Sequence, residues 1–520
     1  MVAPPCLHPE PGAHDRHPGR GAGDLTRIVA LALAVVGGIA LRWVHLGTPS
    51  LWWDEIVEIA MAQVGGVADV LFVVRHGVPP GAGNAGAMPL DYLLLHAWLA
   101  ATSFPAPEHL ETYFRFPAFV WSAAALVVFA LFARRHLDAD VGLVATVLFA
   151  VSVPLVLYAA EVRFYALLVL VTVGHVWAFA RLLDAPAATG RWVVWLAVAC
   201  ASVLTGVLSV IPLAAELVVL FARSRRALVV ALPLVALVLW LALPSLGVTF
   251  GRPSSARPGL LATVGSVMQF LAWGYWILLA GFVAGVVLGW RRPLVVALVL
   301  SFVAIPVVTL LADAKTYYVH PRHLIFLLPA FVIVVALGLV GVARAVVGAR
   351  CAGIAAVTLV IALQGPTIVR YVVDPNPFFA RTKTLHDVRG VVAPLGAVPT
   401  GTTWLLLAER ESVTNAVVDA YLRWWRLADR VAFRGTREVP AALRLLADPN
   451  VPLERLAGSP LATVPVGLTP DLRRVLGITA DVVPPRAVDG VTVVAWEAPA
   501  VAPEASLTRR VLPGAWVFER

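Results

Sequence analysis

The segment richest in reactive groups runs Ser50-Leu51-Trp52-Trp53-Asp54-Glu55-Ile56-Val57-Glu58-Ile59-Ala60. Two tryptophans precede two adjacent carboxylates, and Asp54 and Glu58, four apart, share one face of a helix. A carboxylate fixed at a water–lipid boundary can act as general base toward a hydroxyl. The plainer role is that Asp54 caps the helix and Glu55 favours its dipole. A second segment, Met88-Pro89-Leu90-Asp91-Tyr92-Leu93-Leu94-Leu95-His96, follows a glycine-rich turn at 81–86 and carries Asp91 near its start, with His96 beyond. Then come Glu111-Thr112-Tyr113-Phe114-Arg115-Phe116-Pro117 and Tyr158-Ala159-Ala160-Glu161-Val162-Arg163-Phe164-Tyr165. In the latter, Glu161 and Arg163 also suit a local ion pair that eases a tight hairpin. Late in the chain stand Lys315 and Tyr317-Tyr318-Val319-His320-Pro321-Arg322-His323-Leu324.

The elements that must position these groups are apolar runs. A bilayer core about 30 Å thick needs roughly 20 apolar residues in a helix. Suitable runs occur near 28–45, 115–133, 141–160, 164–183, 192–208, 209–222, 227–246, 268–290, 293–312, 323–343 and 351–369, eleven in all. Residues 1–369 hold 38 charged side chains, about one in ten, whereas 370–520 hold 33 in 151. A soluble chain carries about 25% charge, so the expected architecture is an α-helical polytopic membrane body followed by a small C-terminal α/β domain.

Orientation follows from the bases. With the N-terminus cytoplasmic, the inner segments receive fourteen Arg and the outer segments of the membrane part keep eight bases. The cell membrane is then the expected location, and the C-terminal domain falls outside. The first outer loop, 46–114, holds seven of the sixteen acids of the membrane part. A long acid-bearing loop of this kind usually carries function. Residues from 53 to about 74 read as one helix lying in the membrane surface, because apolar and polar positions alternate with helical spacing.

Several classes fall away. The net charge of +9 comes from Arg pairs between apolar runs with only two Lys, so no basic face offers itself to nucleic acid. Cys6, Cys200 and Cys351 lie far apart, without disulfide or zinc spacing. Residues 1–26 read as a Pro-, Gly- and His-rich disordered cytoplasmic tail, and the run from Ile28 as a retained span. Asp138-Ala139-Asp140 imitates a nucleotide-sugar metal motif but lies beside Arg134 and Arg135 on the expected inner side, where it caps a helix. Glu216, alone in an apolar run, is expected to be protonated, to face a cavity, or to lie near an interface.

Taken together and in order, these segments resemble the GT-C glycosyltransferases. The nearest branch is that of the protein O-mannosyltransferase and lipid A aminoarabinose transferase type, in its bacterial mannosyl- and arabinosyltransferase-like members. The resemblance covers about 28–345. It implies a GT-C-like fold and inverting sugar transfer from a polyprenyl-phosphate donor to a protein, lipid or polysaccharide acceptor at the outer face. On that reading Asp54 is the general base, with Glu55 assisting or orienting it. Carboxylates near the sugar carbon stabilise an oxocarbenium-like transition state. Arg163 and Arg322 grip the departing phosphate, with Lys315, His320, Tyr318, Glu161 and Tyr165 around the donor. Asp91, His96, Glu58 and Arg115 fall on the acceptor or sugar side.

Met88-Pro89 replaces the usual proline pair and Asp91 stands where an aromatic is frequent, so Asp91 is read as an extra sugar-hydroxyl or metal ligand. The acids suit a hard divalent cation, but their spacing requires none. Two rival readings share the location: a ligase or polymerase of lipid-linked glycans, and a flippase or transporter. The second expects paired broken helices and a hydropathy repeat of the two halves. In 370–520 a Pro-rich stretch leads to helices near 384–395 and 413–429 and strands at 403–408 and 490–497, expected as a lid or acceptor platform.

Overall fold

The computed structural model describes residues 20–76, 88–223, 259–314 and 320–382, isolated residues between 232 and 240 and between 389 and 427, and five strands between 404 and 519. The expected span at 227–246, the turn at 81–86, Lys315, Tyr317, Tyr318 and most of the helix at 384–395 lie outside the described residues.

The chain is an α-helical polytopic membrane protein. Five described helices are long and apolar enough to cross a bilayer: Leu25–Trp43, Pro107–His136, Tyr165–Asp184, Pro321–Val347 and Ala352–Val373. Counting two bent pairs as spans makes seven. The eleven expected runs therefore do not all become full-length spans among the described residues. Helices Thr189–Thr205 and Val210–Arg223 have 17 and 14 residues, which at 1.5 Å per residue reach about 26 and 21 Å.

The expected span at 268–290 is not one rod. Leu260–Ala272 and Trp276–Gly289 meet at 97°, because Trp273 (φ 50°) and Gly274 (φ 81°) take left-handed backbone and end the first helix. The later half then packs closely on Leu328–Val347. A methyl on Gly338 would overlap the carbonyl oxygen of Gly281, so glycine is required where these two backbones touch.

The elements that carry the site come early. Helix α1 (Arg20–Trp43) leads into a strap at 44–52, and then α2 (Trp53–Ala62), α3 (Val67–His76), α4 (Pro89–Ala101) and α5 (Leu110–His136) follow. The single surface helix expected over 53–74 is broken at Gly65-Gly66, where the Gly66 amide donates to Asp69 Oδ2 at 2.9 Å and α3 starts anew. Nor does α2 lie on the surface. Ile59, Met61 and Ala62 are fully buried, and so are Glu55 and Glu58.

Next come α6 (Ala139–Val151) and α7 (Val153–Leu157), bent by 50° at Ser152 and Pro154. The bend frees carbonyls, and Arg42 takes them. Its Nη1 donates to Ala150 O (2.9 Å) and Gly38 O (2.7 Å), its Nη2 to Phe149 O (3.2 Å), and its Nε to Ser122 Oγ (2.9 Å). A buried cation thus faces the negative ends of two helices. The Tyr158–Phe164 turn enters α8 (Tyr165–Asp184), followed by α9 (Thr189–Thr205) and α10 (Val210–Arg223).

Beyond the membrane part, a five-stranded mixed sheet has the order β2-β1-β3-β5-β4. Its strands are β1 (Trp404–Ala408), β2 (Val431–Gly435), β3 (Val493–Glu497), β4 (Thr508–Leu512) and β5 (Ala515–Glu519). Strand β1 pairs parallel with β2 and antiparallel with β3. Strands β1 and β3 fall inside the two expected ones. Between them, residues 417 and 420–424 are helical, within the helix expected at 413–429.

Candidate active site

Glu55, the third residue of α2, is the anchor. Its Oε2 accepts from the Trp52 amide at 3.2 Å, which is the return bond of a capping box. The same oxygen accepts from Arg115 Nη2 at 2.7 Å, and Oε1 accepts from Arg115 Nε at 2.8 Å and from the Val162 amide at 2.9 Å. One carboxylate therefore joins the start of α2, the start of α5 and the turn before α8. Arg115 spends its remaining donors on the strap carbonyls of Leu46 (3.2 Å), Pro49 (2.6 Å) and Ser50 (3.1 Å). Both side chains are wholly buried. The capping role weighed for Asp54 belongs instead to Glu55.

Asp54 points elsewhere. Its Oδ2 accepts from Arg322 Nη2 at 3.3 Å, with the two side chains 22% and 19% exposed. This is the partly open pair of the site. The Arg322 guanidinium also lies over the Trp52 ring, 5.4 Å from its centroid, and its Nε is buried without a hydrogen-bond partner among the described residues. Arg322 enters from the 3₁₀ turn Pro321–Leu327, where its amide donates to His320 Nδ1 at 3.4 Å. Burial, and then Arg322, push the His320 imidazole down to about 4, so it is neutral at pH 7.

One turn deeper, Glu58 Oε2 accepts from Arg163 Nη1 at 3.0 Å. Glu58 is fully buried, and its carboxyl is close enough to that of Asp91, near the start of α4, for each to influence the other's ionisation. Neighbouring carboxyls resist ionising together, so around pH 7 the pair keeps about one proton. Burial above all pushes Glu58 up to about 8 and Asp91 up to about 6, while Arg163 opposes both shifts. Burial works against the charge on Arg163 as well, but Glu58 and Asp54 outweigh it and keep the guanidinium well above its ordinary range. The sequence allowed a local Glu161–Arg163 pair, yet the ion pair that Arg163 makes is with Glu58.

Tyr165 packs edge-on against Tyr158, with ring centroids 4.8 Å apart. The Tyr165 hydroxyl is buried with no hydrogen-bond partner among the described residues, and Arg163 lies 5.9 Å from its ring centroid. Glu161 is buried in the same turn, between the Ala160 and Val162 that follow Tyr158. Of the residues singled out from sequence, then, Asp54, Glu58, Asp91, Glu161, Arg163, Tyr165, His320 and Arg322 share this neighbourhood.

Three fare differently. Glu55 and Arg115 are locked into each other, with their bonding capacity spent inside the protein. His96 sits at the far end of α2, where its Nδ1 meets Ala62 O at 2.8 Å, beside a groove of about 510 Å³ lined also by Gln63, Thr102 and Tyr113. Among the described residues, no three His, Cys, Asp or Glu groups are arranged to hold a metal ion.

Sequence reasoning passed over three groups. Arg42 reads as an ordinary span-end base. Arg389 and Tyr421, in the C-terminal part, reach back to Glu111 and to the strap before Asp54. Nothing in their local sequence signals this, because their partners are about 280 to 370 residues away.

No protein-family model matches the chain, and no curated protein is matched by it. Solved structures are. The crystal structure of ArnT from Cupriavidus metallidurans in the apo state is 14% identical, with 82% of this chain and 92% of that chain covered and a TM-score of 0.49. The structure of the same ArnT bound to undecaprenyl phosphate gives 14%, 82%, 89% and 0.47. At this level neither likeness assigns a role to any residue here, and the roles rest on the geometry above.

Proposed function

We propose that the chain is an integral membrane glycosyltransferase of the GT-C type. It transfers a sugar from a polyprenyl-phosphate donor to an acceptor hydroxyl on the outer face of the cell membrane, with inversion and with its N-terminus cytoplasmic. The observation that carries this reading is the partly open Asp54–Arg322 pair above the buried Glu58–Arg163 pair. A carboxylate and guanidinium groups stand side by side where spans end.

The chemistry follows from those groups. The acceptor O–H gives its proton to Asp54 as the oxygen attacks the sugar carbon. The bond to the phosphate oxygen breaks, and its electron pair leaves with the lipid phosphate. That group gains negative charge and needs no proton, but it does need cations. Among the described residues, Arg322 has a donor to spare at Nε, and Arg163 has another there that is buried and without a hydrogen-bond partner. Both suit a planar, bidentate phosphate contact. The Glu58–Asp91 pair, holding one proton, carries one negative charge, which Arg163 balances without neutralising Asp54. Glu55 acts by position, fixing the first turn of α2 so that Asp54 is presented outward.

Membranes supplied with polyprenyl-phosphate sugars test the reading directly. Wild-type protein is expected to transfer sugar, and Asp54→Asn to lose ~10²–10⁴-fold of the rate, the usual worth of a positioned general base. Wild-type protein inert with every such donor would overturn it.

A further inference from the structure

The strap before Asp54 is made of turns and bends, and every carbonyl from Leu46 to Ser50 in it is taken by an arginine side chain. Arg115 takes the carbonyls of Leu46, Pro49 and Ser50. The carbonyls between them belong to a residue far along the chain. Arg389 Nη1 donates to Gly47 O and Nη2 to Thr48 O, each at 3.0 Å, and the Arg389 amide donates to Ser50 Oγ at 3.1 Å. Arg389 Nη1 also reaches Glu111 Oε2 at 3.4 Å.

Tyr421 closes the arrangement. Its hydroxyl accepts from the Leu51 amide at 2.7 Å and donates to Glu111 Oε1 at 2.8 Å. Tyr421 is fully buried and Glu111 1% exposed. Burial, and then Glu111, keep the Tyr421 hydroxyl well above its ordinary range, so it stays protonated and able to donate. Trp424 packs its ring 4.9 Å from that of Phe114, one residue before Arg115. Leu51, whose amide Tyr421 holds, is three residues from Asp54 and 1% exposed.

We propose that Arg389 and Tyr421 are positioning residues, through which the C-terminal part completes the active site by fixing the strap 46–51 and hence the direction of Asp54. The claim rests on the glycosyltransferase reading for its activity readout, but the clamp itself does not. Neither residue touches the donor or acceptor on this account. Each acts through backbone that a loop of this kind cannot hold by itself. A displacement of about 1 Å at a reacting group is enough to cost on the order of a hundredfold in rate.

The test uses the full-length protein in nanodiscs, comparing wild type with Tyr421→Phe and Arg389→Lys. Tyr421→Phe removes one oxygen and leaves Leu51 N–H and Glu111 without it. Arg389→Lys keeps a positive charge beside Glu111 but replaces the rigid fork that spans two carbonyls with a single compact ammonium. Hydrogen exchange followed on peptides covering 44–56 is expected to quicken at least tenfold in both variants, with α5 and α8 unchanged. Transfer assays are expected to show kcat lowered ~10- to 100-fold with the donor KM unaltered. Unchanged exchange in both variants overturns the clamp. Quickened exchange with unchanged kcat overturns the positioning role. Inert wild-type protein, with quickened exchange in the variants, discards the glycosyltransferase reading and the positioning role with it, and leaves only the clamp standing.

Discussion

Carboxylates and guanidinium groups meet at both ends of the helix bundle, but under opposite conditions. At the end that carries Asp54, the Arg115–Glu55 pair is wholly buried and the Arg163–Glu58 pair nearly so. At the other end, Arg344 Nη2 lies 2.5 Å from Asp138 with side chains 37% and 44% exposed, and Arg27 Nη2 lies 2.9 Å from Asp140 with 50% and 14%. Asp138 there accepts the Asp140 amide at 3.1 Å and starts α6. Identical side chains thus do different work. Where water screens them they finish helices, and where it is excluded they set the position and protonation of their neighbours.

The comparison is broken most sharply at Glu55. Removing one partner of a buried pair leaves an uncompensated charge, at a cost of ~3–5 kcal/mol. Glu55→Gln keeps the shape but weakens both bonds to Arg115, and Arg115→Met strands Glu55. Each is expected to lower thermal stability in detergent or nanodiscs by an amount in this range, with Arg115→Met the worse. Near-wild-type melting of Arg115→Met would mean that burial has not raised the stakes at this end.

How much of this was readable beforehand depends on distance along the chain. The Asp54/Glu58 spacing and the Asp138 cap are local, and sequence reasoning places them correctly. The division of labour between Asp54 and Glu55 is not local. Glu55 is fixed as an anchor by Arg115 and Val162, 60 and 107 residues on, and no spacing rule reaches that far. The bend at Trp273 was hidden for another reason. The run 268–290 is continuously apolar, and hydropathy does not register one tryptophan and one glycine in left-handed backbone. The helix expected to lie on the membrane surface was misjudged because its polar face meets Arg163 and Arg115, not headgroups. Strands β2, β4 and β5 were missed; β2 and β4 have their apolar runs interrupted by Arg434 and by Arg509 and Arg510.

Glu58 sharpens the comparison through pH. Its folded carboxyl is raised from 4.5 to about 8, and that of Asp91 from 3.8 to about 6, burial leading in both. Between these limits the native state keeps protons that an unfolded chain has released. Stability therefore falls as pH rises from about 4.5 toward about 8. Thermal melts taken across that range are expected to decline in wild type and to decline less steeply in Glu58→Gln, whose amide has no proton to lose. Parallel slopes for the two proteins would show that Glu58 is ionised throughout.

The smallest effect is expected at the opposite end. Exposed pairs of the Arg344 kind contribute ~0–1 kcal/mol, and salt screens what there is. Arg344→Ala is expected to lower the melting temperature slightly at low ionic strength and not measurably at high. Asp138→Ala also loses the cap on α6 and is expected to cost ~0.5–2 kcal/mol whatever the salt. Neither is expected to change sugar transfer, because both residues stand a full helix away from Asp54. That makes the Asp138-Ala139-Asp140 sequence the most economical discriminator in the molecule. Were Asp138→Ala to abolish transfer while the protein still melted normally, the acids at this end would be reactive groups after all, and the assignment of the chemistry to the Asp54 end would fall.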